Sequence, residues 1–321
     1  MKLGLFTVIL RQQPLEKVLD YAASLGLSAV ELGAGAYPGR EHCDPDALLR
    51  SAAKRRELSK AVASRGLTIS ALNAAGNPIH PDKPKAKAHH QAYEKAIRLA
   101  GELGVPVVTN FSGCPGGGPA DRTPNWVTCP WPPDYIEILE YQWNRVVIPY
   151  WTRMVAFAKR HGVSRLALEM HPGFVVYNPE TLLRLRTAVG PVIGANFDPS
   201  HLFWQGIDPC EAVRALRGAI WHVHGKDTAV YETNARVNGV LDTKHYGDEL
   251  HRAWLFRTVG YGNPRRFWCD FVSTLRLCGF DGVVSVEHED SLMTPREGLE
   301  KAVGFLQGIL LMEPKGKVAW A

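Results

Sequence analysis

The segment LALEMHPG, residues 166–173, decides how the rest of the chain is interpreted, because in it an apolar run ends with a carboxylate and an imidazole. In an extended strand, alternate side chains point to opposite faces of the sheet. The two leucines and Met170 would share one face, and Glu169 and His171 would share the other. An acid and a base at the carboxyl end of a buried strand predict a functional site at one edge of a parallel sheet.

Similar apolar segments recur along the chain and alternate with longer amphipathic ones. Eight strand candidates can be recognised, at residues 2–8, 28–35, 67–74, 105–113, 165–172, 192–201, 220–227 and 281–290. This alternation is typical of βαβ units around a parallel sheet. Eight units in 321 residues predict an α/β fold, a (β/α)8 TIM barrel in a single domain over residues 1–321. An open, doubly wound sheet could be built from the same units.

Polar residues at the ends of four consecutive segments favour the closed barrel. Each of them stands where a predicted strand ends: Glu169, Asp198, His224 and Glu287. A closed barrel brings the carboxyl ends of its strands to one rim, whereas an open sheet would spread them along a wide edge. We therefore predict that these four side chains lie close together.

Two connections are longer than the usual loops of such a barrel. They are expected to cover the C-terminal face as long inserted loops, residues 114–143 after the fourth strand and 228–266 after the seventh. The first contains Trp126 and Trp131 among many prolines and glycines, which predicts a lid that stacks on a substrate. The alternative is that these tryptophans only anchor a structural Ω-loop.

Composition restricts the classes of protein. With 45% hydrophobic and 21% charged residues the chain can bury a large core, so global disorder is excluded. A net charge of +5 without a long basic run indicates no nucleic-acid partner.

Six cysteines form no C-x-x-C pair and are interpreted as reduced packing residues. No signal peptide or membrane-spanning segment is recognisable, so we expect a cytoplasmic protein without a membrane partner.

The four polar strand ends also indicate a chemistry. Carboxylates buried together repel one another and remain costly unless a cation compensates them. An oxygen-rich set with one imidazole suits one divalent ion, Mn²⁺ in first place, with Mg²⁺, Co²⁺ or Zn²⁺ as alternatives. Lys226 extends the set towards the rim, and His201, three residues after Asp198, can turn to the same place. The other interpretation is that these are ordinary polar groups at strand ends.

Four segments, ALEMHPG, NFDPSH, HVHGKD and VSVEHED, occur in this order and resemble the sugar phosphate isomerase/epimerase group of the xylose-isomerase-like TIM-barrel superfamily. That superfamily also includes AP endonuclease relatives, and the resemblance covers nearly the whole chain. It implies a divalent metal bound by the four strand-end residues: Glu169, Asp198, His224 and Glu287. In the ketose 3-epimerases of the group, the two ligand glutamates also move the substrate proton, which implies catalytic roles for Glu169 and Glu287.

The resemblance implies a divalent-metal-dependent sugar isomerase or epimerase that removes a proton next to a carbonyl and proceeds through an enediolate. His201 would be an alternative catalytic base or would hold substrate hydroxyls. The other residues predicted to contact substrate are His171, Lys226, Asn110, Trp126 and Trp131. No glycine-rich phosphate loop follows the seventh or eighth strand, which argues against a phosphorylated sugar.

Three other functions stay open at this point. The Trp-rich insert resembles that of family members acting on oxidised glycosides, among them C-glycoside deglycosidases, which pair a barrel with a small β-sandwich subunit. Such a lyase deprotonates a 3-oxo-glycoside and eliminates the aglycone. It therefore needs room for the aglycone under Trp126 and Trp131, and it needs a small partner subunit. The other assembly that stays open for this protein is a homo-oligomer. An AP endonuclease needs further histidines as metal ligands. The end of the fourth strand, TNFSG, does not supply them, and neither does the later His251 in the insert after the seventh strand. A non-catalytic binding barrel would not depend on metal.

Overall fold

A computed structural model describes residues 1–316, and its parallel strands close into a barrel. The strands are β1 (Lys2–Phe6), β2 (Ala29–Gly33), β3 (Thr68–Asn73), β4 (Val107–Phe111), β5 (Arg165–Glu169), β6 (Ile193–Phe197), β7 (Ile220–Gly225), β8 (Asp227–Val230), β9 (Trp254–Arg257) and β10 (Val283–Val286). The barrel consists of β1 to β7 in sequence order and β10, which pairs with both β7 and β1. The prediction of a (β/α)8 barrel is confirmed, and the open sheet is excluded.

Helices alternate with the barrel strands. They are α1 (Leu15–Ser24), α2 (Pro45–Leu49), α3 (Ala52–Ala63), α4 (Lys83–Leu103), α5 (Asp134–Tyr141), α6 (Ile148–Arg160), α7 (Pro179–Val189), α8 (Ser200–Phe203), α9 (Pro209–Ala215), α10 (Glu232–Asn238), α11 (Arg265–Leu277) and α12 (Pro295–Gln307). Within residues 1–316, none of the helices combines the length and the apolar character that a membrane crossing requires.

Local signals set the ends of these helices. Asp82 caps α4 by accepting a hydrogen bond from the backbone N–H of Lys85 at 3.2 Å, and Gly104 ends the helix at a φ of 69°. Asn178 caps α7 in a reciprocal arrangement with Thr181. Capping satisfies backbone groups that have no partner inside the helix, so each helix stops where the chain must turn back to the barrel.

The barrel strands are buried on both sides. Every residue of β2 and of β6 is buried, as expected for parallel strands between a filled barrel interior and an outer layer of helices. One apolar core extends from Met1 to Leu310. Polar side chains inside this barrel therefore have to satisfy one another, because bulk water does not reach them.

The insert after β4, predicted as a loop over residues 114–143, is helical in its last part. Residues 114–133 are irregular, but α5, a π-helical stretch and α6 then run without interruption over 134–160. Trp143 lies buried with the guanidinium of Arg184 4.2 Å from its ring centroid. The insert thus packs against α7.

The insert after β7 forms a small sheet of its own. Strands β8 and β9 pair antiparallel, with α10 between them in sequence. Trp254 of β9 stacks on Trp204 at 4.6 Å with 6° between the ring planes. Phe256 of the same strand lies with its ring centroid 4.5 Å from the ammonium of Lys226. This insert therefore lies next to the carboxyl ends of the barrel strands.

Candidate functional site

The four predicted metal ligands come together at the C-terminal rim. Glu169 ends β5, His224 lies in β7, and Asp198 and Glu287 directly follow β6 and β10. Each offers one ligand atom, and these atoms all lie within 4.8 Å of one another. Adjacent parallel strands of a closed barrel produce this proximity, since their carboxyl ends meet at one rim.

The two glutamates of the cluster share one imidazole. The Nδ1 atom of His224 lies 3.0 Å from Glu287 Oε2 and 3.5 Å from Glu169 Oε2. Burial raises the pKa of Glu169 to about 8, and the nearby Glu287 carboxylate adds to this shift. Burial alone would also raise the pKa of Glu287, but Lys226 and His224 outweigh it and hold that pKa well below its usual range. Without a metal, the first glutamate is protonated at neutral pH and the second is ionised.

Lys226 supplies a buried positive charge beside the cluster. Its Nζ lies 3.1 Å from Asp198 Oδ2, 3.1 Å from Glu287 Oε2 and 2.9 Å from Glu289 Oε2. Burial alone would lower the pKa of Lys226, but these carboxylates raise it well above its usual value. The residue predicted to bind substrate is therefore a charged partner of two of the predicted metal ligands.

The donor set fits a divalent cation. Three carboxylates and one imidazole form an oxygen-rich set, which suits Mn²⁺, Mg²⁺ and Zn²⁺ better than softer ions. Asp198 is completely buried, and its Oδ2 accepts no well-aligned hydrogen bond although Lys226 and His201 are near. A buried carboxylate oxygen without a hydrogen bond is costly, and a bound cation removes that cost.

Two neutral imidazoles border the cluster on one side. The rings of His171 and His201 lie 4.1 Å apart, and burial lowers the pKa of each to about 4. His201 Nε2 lies 3.0 Å from Glu169 Oε1 and 3.3 Å from Asp198 Oδ2. At neutral pH both rings can donate and accept hydrogen bonds, which suits the recognition of hydroxyl groups.

A cleft of about 270 Å³ opens above the cluster. The residues that line it are Phe6, Val8, Arg11, Tyr37, Pro38, Asn73, Ala75, Phe111, Glu169, His171, His201, Lys226, Glu287 and Glu289. Its size lies at the lower end of the range for small-molecule sites, so a small polar ligand fits it best. A second cavity of about 300 Å³, beside Tyr246 and Phe256, shares His171 and Glu289 with it.

Three residues predicted to contact substrate do not line this cleft. Asn110 is buried behind it, where its Oδ1 accepts hydrogen bonds from the backbone N–H groups of Gly76 and Phe111, both at 2.8 Å. Trp126 packs against Tyr177 with 5.6 Å between ring centroids, and Trp131 is 74% exposed. The two tryptophans stay outside the cleft because the first insert packs against α7, and the aromatic lining comes instead from Phe6, Tyr37 and Phe111.

Sequence reasoning missed three polar residues of the site. Glu31 in β2 is completely buried and lies 3.1 Å from His224 Nε2. Asn73 donates to Glu31 and lines the cleft, and Glu289 pairs with Lys226. The signal was present for the first of them, because AVELG places a carboxylate in an apolar strand just as LALEM does.

The fold agrees with the comparisons with known proteins. The family of xylose isomerase-like TIM barrels matches residues 19–309. The chain belongs to that family. The resemblance seen in the four strand-end segments is thereby confirmed.

Relatives of known sequence and structure cover almost all of the chain. The uncharacterized protein YfiH of Bacillus subtilis (strain 168) is 45% identical over 309 residues, which are 96% of this chain and 98% of that protein. A D-psicose 3-epimerase from Clostridium cellulolyticum H10, crystallised with D-tagatose, is 16% identical with a TM-score of 0.61 over 97% of this chain and 99% of that one. The IOLI protein with a bound zinc atom is 18% identical with a TM-score of 0.66, over 97% and 98% of the two chains. At these identities, the two solved structures establish the shared fold.

Proposed function

We propose that this protein is a divalent-metal-dependent sugar isomerase or epimerase that moves a proton next to a carbonyl. The observation that carries the proposal is the convergence of Glu169 and Glu287 on His224 Nδ1, at the floor of a small polar cleft. Two carboxylates beside one imidazole can act as an acid–base pair when one of them carries a proton. The D-psicose 3-epimerase that shares the fold is consistent with this chemistry.

The residues that would hold the metal are the four strand-end side chains: Glu169, Asp198, His224 and Glu287. A divalent cation, when bound there, stabilises the negative charge that develops on the oxygens of an enediolate. We propose Mn²⁺ as the preferred ion, because three of the four donors are carboxylates. The zinc atom bound in the IOLI protein makes Zn²⁺ the first alternative to test.

The proton transfers are assigned to the two glutamates. In the proposed reaction Glu287 removes a proton from the substrate carbon, and Glu169 returns to the other face a proton that it carries in the substrate complex. In the reverse direction the two exchange roles. His171 and His201, both neutral, would hold substrate hydroxyls, and Lys226 keeps the Glu287 carboxylate ionised.

Elimination on an oxidised glycoside is less well supported than epimerisation. That reaction was predicted to need an aglycone site under Trp126 and Trp131, and neither residue lines the cleft. The second cavity beside Tyr246 offers some room next to the cleft, so released aglycone is an outcome that the experiment below should record.

Deuterium exchange tests the proposal. The protein is stripped with a chelator, reloaded with Mn²⁺, Zn²⁺, Mg²⁺ or Co²⁺, and incubated in D₂O with unphosphorylated ketoses, aldoses and 3-oxo-glycosides. We expect metal-dependent deuterium at one carbon next to the carbonyl, together with an epimer or an isomer. Glu169→Gln and Glu287→Gln should each lower exchange by about 10²–10⁴-fold while retaining the fold. Full exchange in either variant, or none in the loaded wild type, would contradict the proposal.

A further inference from the structure

Glu31 is a buried carboxylate that the proposed chemistry does not use. It lies in β2, whereas His224 lies in β7, and β1 and β10 separate these strands in the barrel. The two residues meet because both point into the barrel interior, where neither is exposed. Glu31 Oε2 lies 3.1 Å from His224 Nε2, and Glu31 Oε1 accepts a hydrogen bond of 2.8 Å from Asn73 Nδ2.

The two ring nitrogens of His224 face different surroundings. Nδ1 points to the ligand cluster, 3.0 Å from Glu287 Oε2 and 3.5 Å from Glu169 Oε2. Nε2 points to Glu31. A histidine that binds a metal through one nitrogen carries its proton on the other, and a carboxylate that accepts this proton fixes the tautomer and the ring plane.

One neighbour opposes this arrangement. Asn196 Nδ2 lies 3.2 Å from His224 Nε2 and, as a donor, would favour a lone pair there. The same amide nitrogen also lies 3.2 Å from Glu169 Oε2, to which it can donate instead. The ionised oxygen of Glu31 is the stronger partner for the ring N–H, because hydrogen bonds to charged acceptors are roughly twice as strong as neutral ones.

We propose that Glu31 is the positioning residue of the metal site: it holds the proton of His224 on Nε2 and so presents the Nδ1 lone pair to the cation. The inference rests on the proposed metal-dependent function. It assigns Glu31 no contact with substrate or metal. Removing such a partner typically lowers metal affinity by about 10–100-fold.

The contacts of Glu31 suggest a pair of variants with opposite effects. In Glu31→Gln, Asn73 Nδ2 still donates to Oε1, so the new NH₂ group faces His224 Nε2 and donates to it. This favours the tautomer with the ring proton on Nδ1, the nitrogen that faces the metal site. Adding Asn73→Asp reverses this polarity, because a carboxylate at position 73 accepts from the Gln NH₂ and turns the amide oxygen towards Nε2. Asn73 Oδ1 accepts from Ala75 N at 2.9 Å, a hydrogen bond that Asp also makes. The double variant has the same net charge as the wild type.

The test measures dissociation constants for Mn²⁺ and Zn²⁺ by competition with a chromophoric chelator, and counts bound ions per chain. We expect Glu31→Gln to bind about 10–100-fold more weakly than wild type, and the double variant to recover most of the loss. Circular dichroism and thermal melts establish that the variants are folded. If folded Glu31→Gln binds metal as tightly as wild type, the positioning role is refuted.

A measurement on the wild type covers the case in which the variants do not fold. Nitrogen-15 NMR of histidine-labelled, zinc-loaded protein reports which ring nitrogen carries the proton. A protonated Nε2 in His224 supports the inference, and a protonated Nδ1 overturns it.

The outcomes separate this inference from the proposed function. Wild type that binds no divalent ion overturns both. Wild type that binds one ion, with unaltered affinity in Glu31→Gln, overturns only the role of Glu31. Glu31, His222 and His224 also place ligand atoms within 4.8 Å of one another. Two ions per chain, one of them lost in Glu31→Gln, would therefore make Glu31 a metal ligand and would also overturn the positioning role.

Discussion

Glu169 and Glu287 have the same side chain, but their neighbours shift their pKa values in opposite directions. Glu169 faces neutral His201 and the amide of Asn196, so burial dominates and raises its pKa to about 8. Glu287 lies 3.1 Å from the Lys226 ammonium and 3.0 Å from His224 Nδ1, and these two neighbours together outweigh burial and lower its pKa. At the scale of residues, the neighbours therefore separate the pKa values of two identical side chains in the metal-free protein.

This asymmetry predicts a pH effect on the stability of the metal-free protein. Between about pH 4.5 and 8 the unfolded chain ionises Glu169 while the folded chain keeps it protonated. The unfolded state then binds fewer protons, so this residue lowers stability as pH rises, by up to about 1.4 kcal/mol per pH unit. Glu169→Gln removes the effect. The melting temperature of the variant minus that of the wild type should increase from pH 5 to pH 8 with chelator present.

The comparison between variants is needed because other groups titrate in the same range. His171 and His201, with pKa values lowered to about 4, make stability rise with pH below about 6.5 in both proteins. Glu211→Gln, at a side chain that is 71% exposed, controls for the loss of one carboxylate. A difference that stays flat across the range would contradict the assignment.

Lys226 predicts a stability effect that depends on metal. Lys226→Met leaves Asp198 and Glu287 without their buried counter-charge, which should cost about 3–5 kcal/mol in the metal-free protein. A saturating divalent ion restores the compensation, so the loss should shrink in thermal melts with Mn²⁺. Lys301→Met removes an exposed ion pair with Glu297 and should change stability far less, because solvent screens such a pair. An equal loss with and without metal would exclude this role for Lys226.

At the scale of elements, one carboxylate joins the two ends of the second insert. Asp227, at the start of β8, is fully buried and accepts backbone hydrogen bonds from Gly260, Gly262 and Asn263, at 2.9–3.0 Å. Trp268 of α11 donates to it as well, at 3.2 Å. These contacts join both ends of the insert to the helix that follows it. The insert can therefore keep β9 beside the cleft.

We expect Asp227→Ala to destabilise this region by at least about 3 kcal/mol, because several buried donors lose their acceptor. Urea denaturation and limited proteolysis between residues 228 and 264 would measure the effect. Asp248→Ala, which removes a 43% exposed partner of His251 in the same insert, should leave both nearly unchanged. Wild-type protease resistance in Asp227→Ala would show that the insert is held by other contacts.

At the scale of the whole molecule, barrel closure concentrates negative charge at one rim. The site holds Glu169, Asp198 and Glu287, with Lys226 in contact with two of them. A divalent ion that binds only the folded chain stabilises it, by about 2.7 kcal/mol at a hundred times its dissociation constant. Wild-type protein should therefore melt several degrees higher with Mn²⁺ than with chelator. Asp198→Asn should lose this gain. If the wild type melts at the same temperature with Mn²⁺ and with chelator, the prediction of a metal site at this rim is contradicted.

The sequence by itself determined the barrel and the four residues of its rim. Both follow from local patterns: eight alternating units specify the strands, and a polar residue at each of four strand ends reaches the same rim as soon as the barrel closes. The sequence also predicted His171, His201 and Lys226, which line the cleft, whereas the tertiary structure alone decided that Glu31 joins the site and that Trp126 and Trp131 do not. Glu31 meets His224 across 193 positions because both point inwards, and no local pattern encodes that meeting. Trp126 and Trp131 lie outside the cleft because their loop packs on the helix that offers it a matching surface. The periodicity of the sequence does not specify which helix that is.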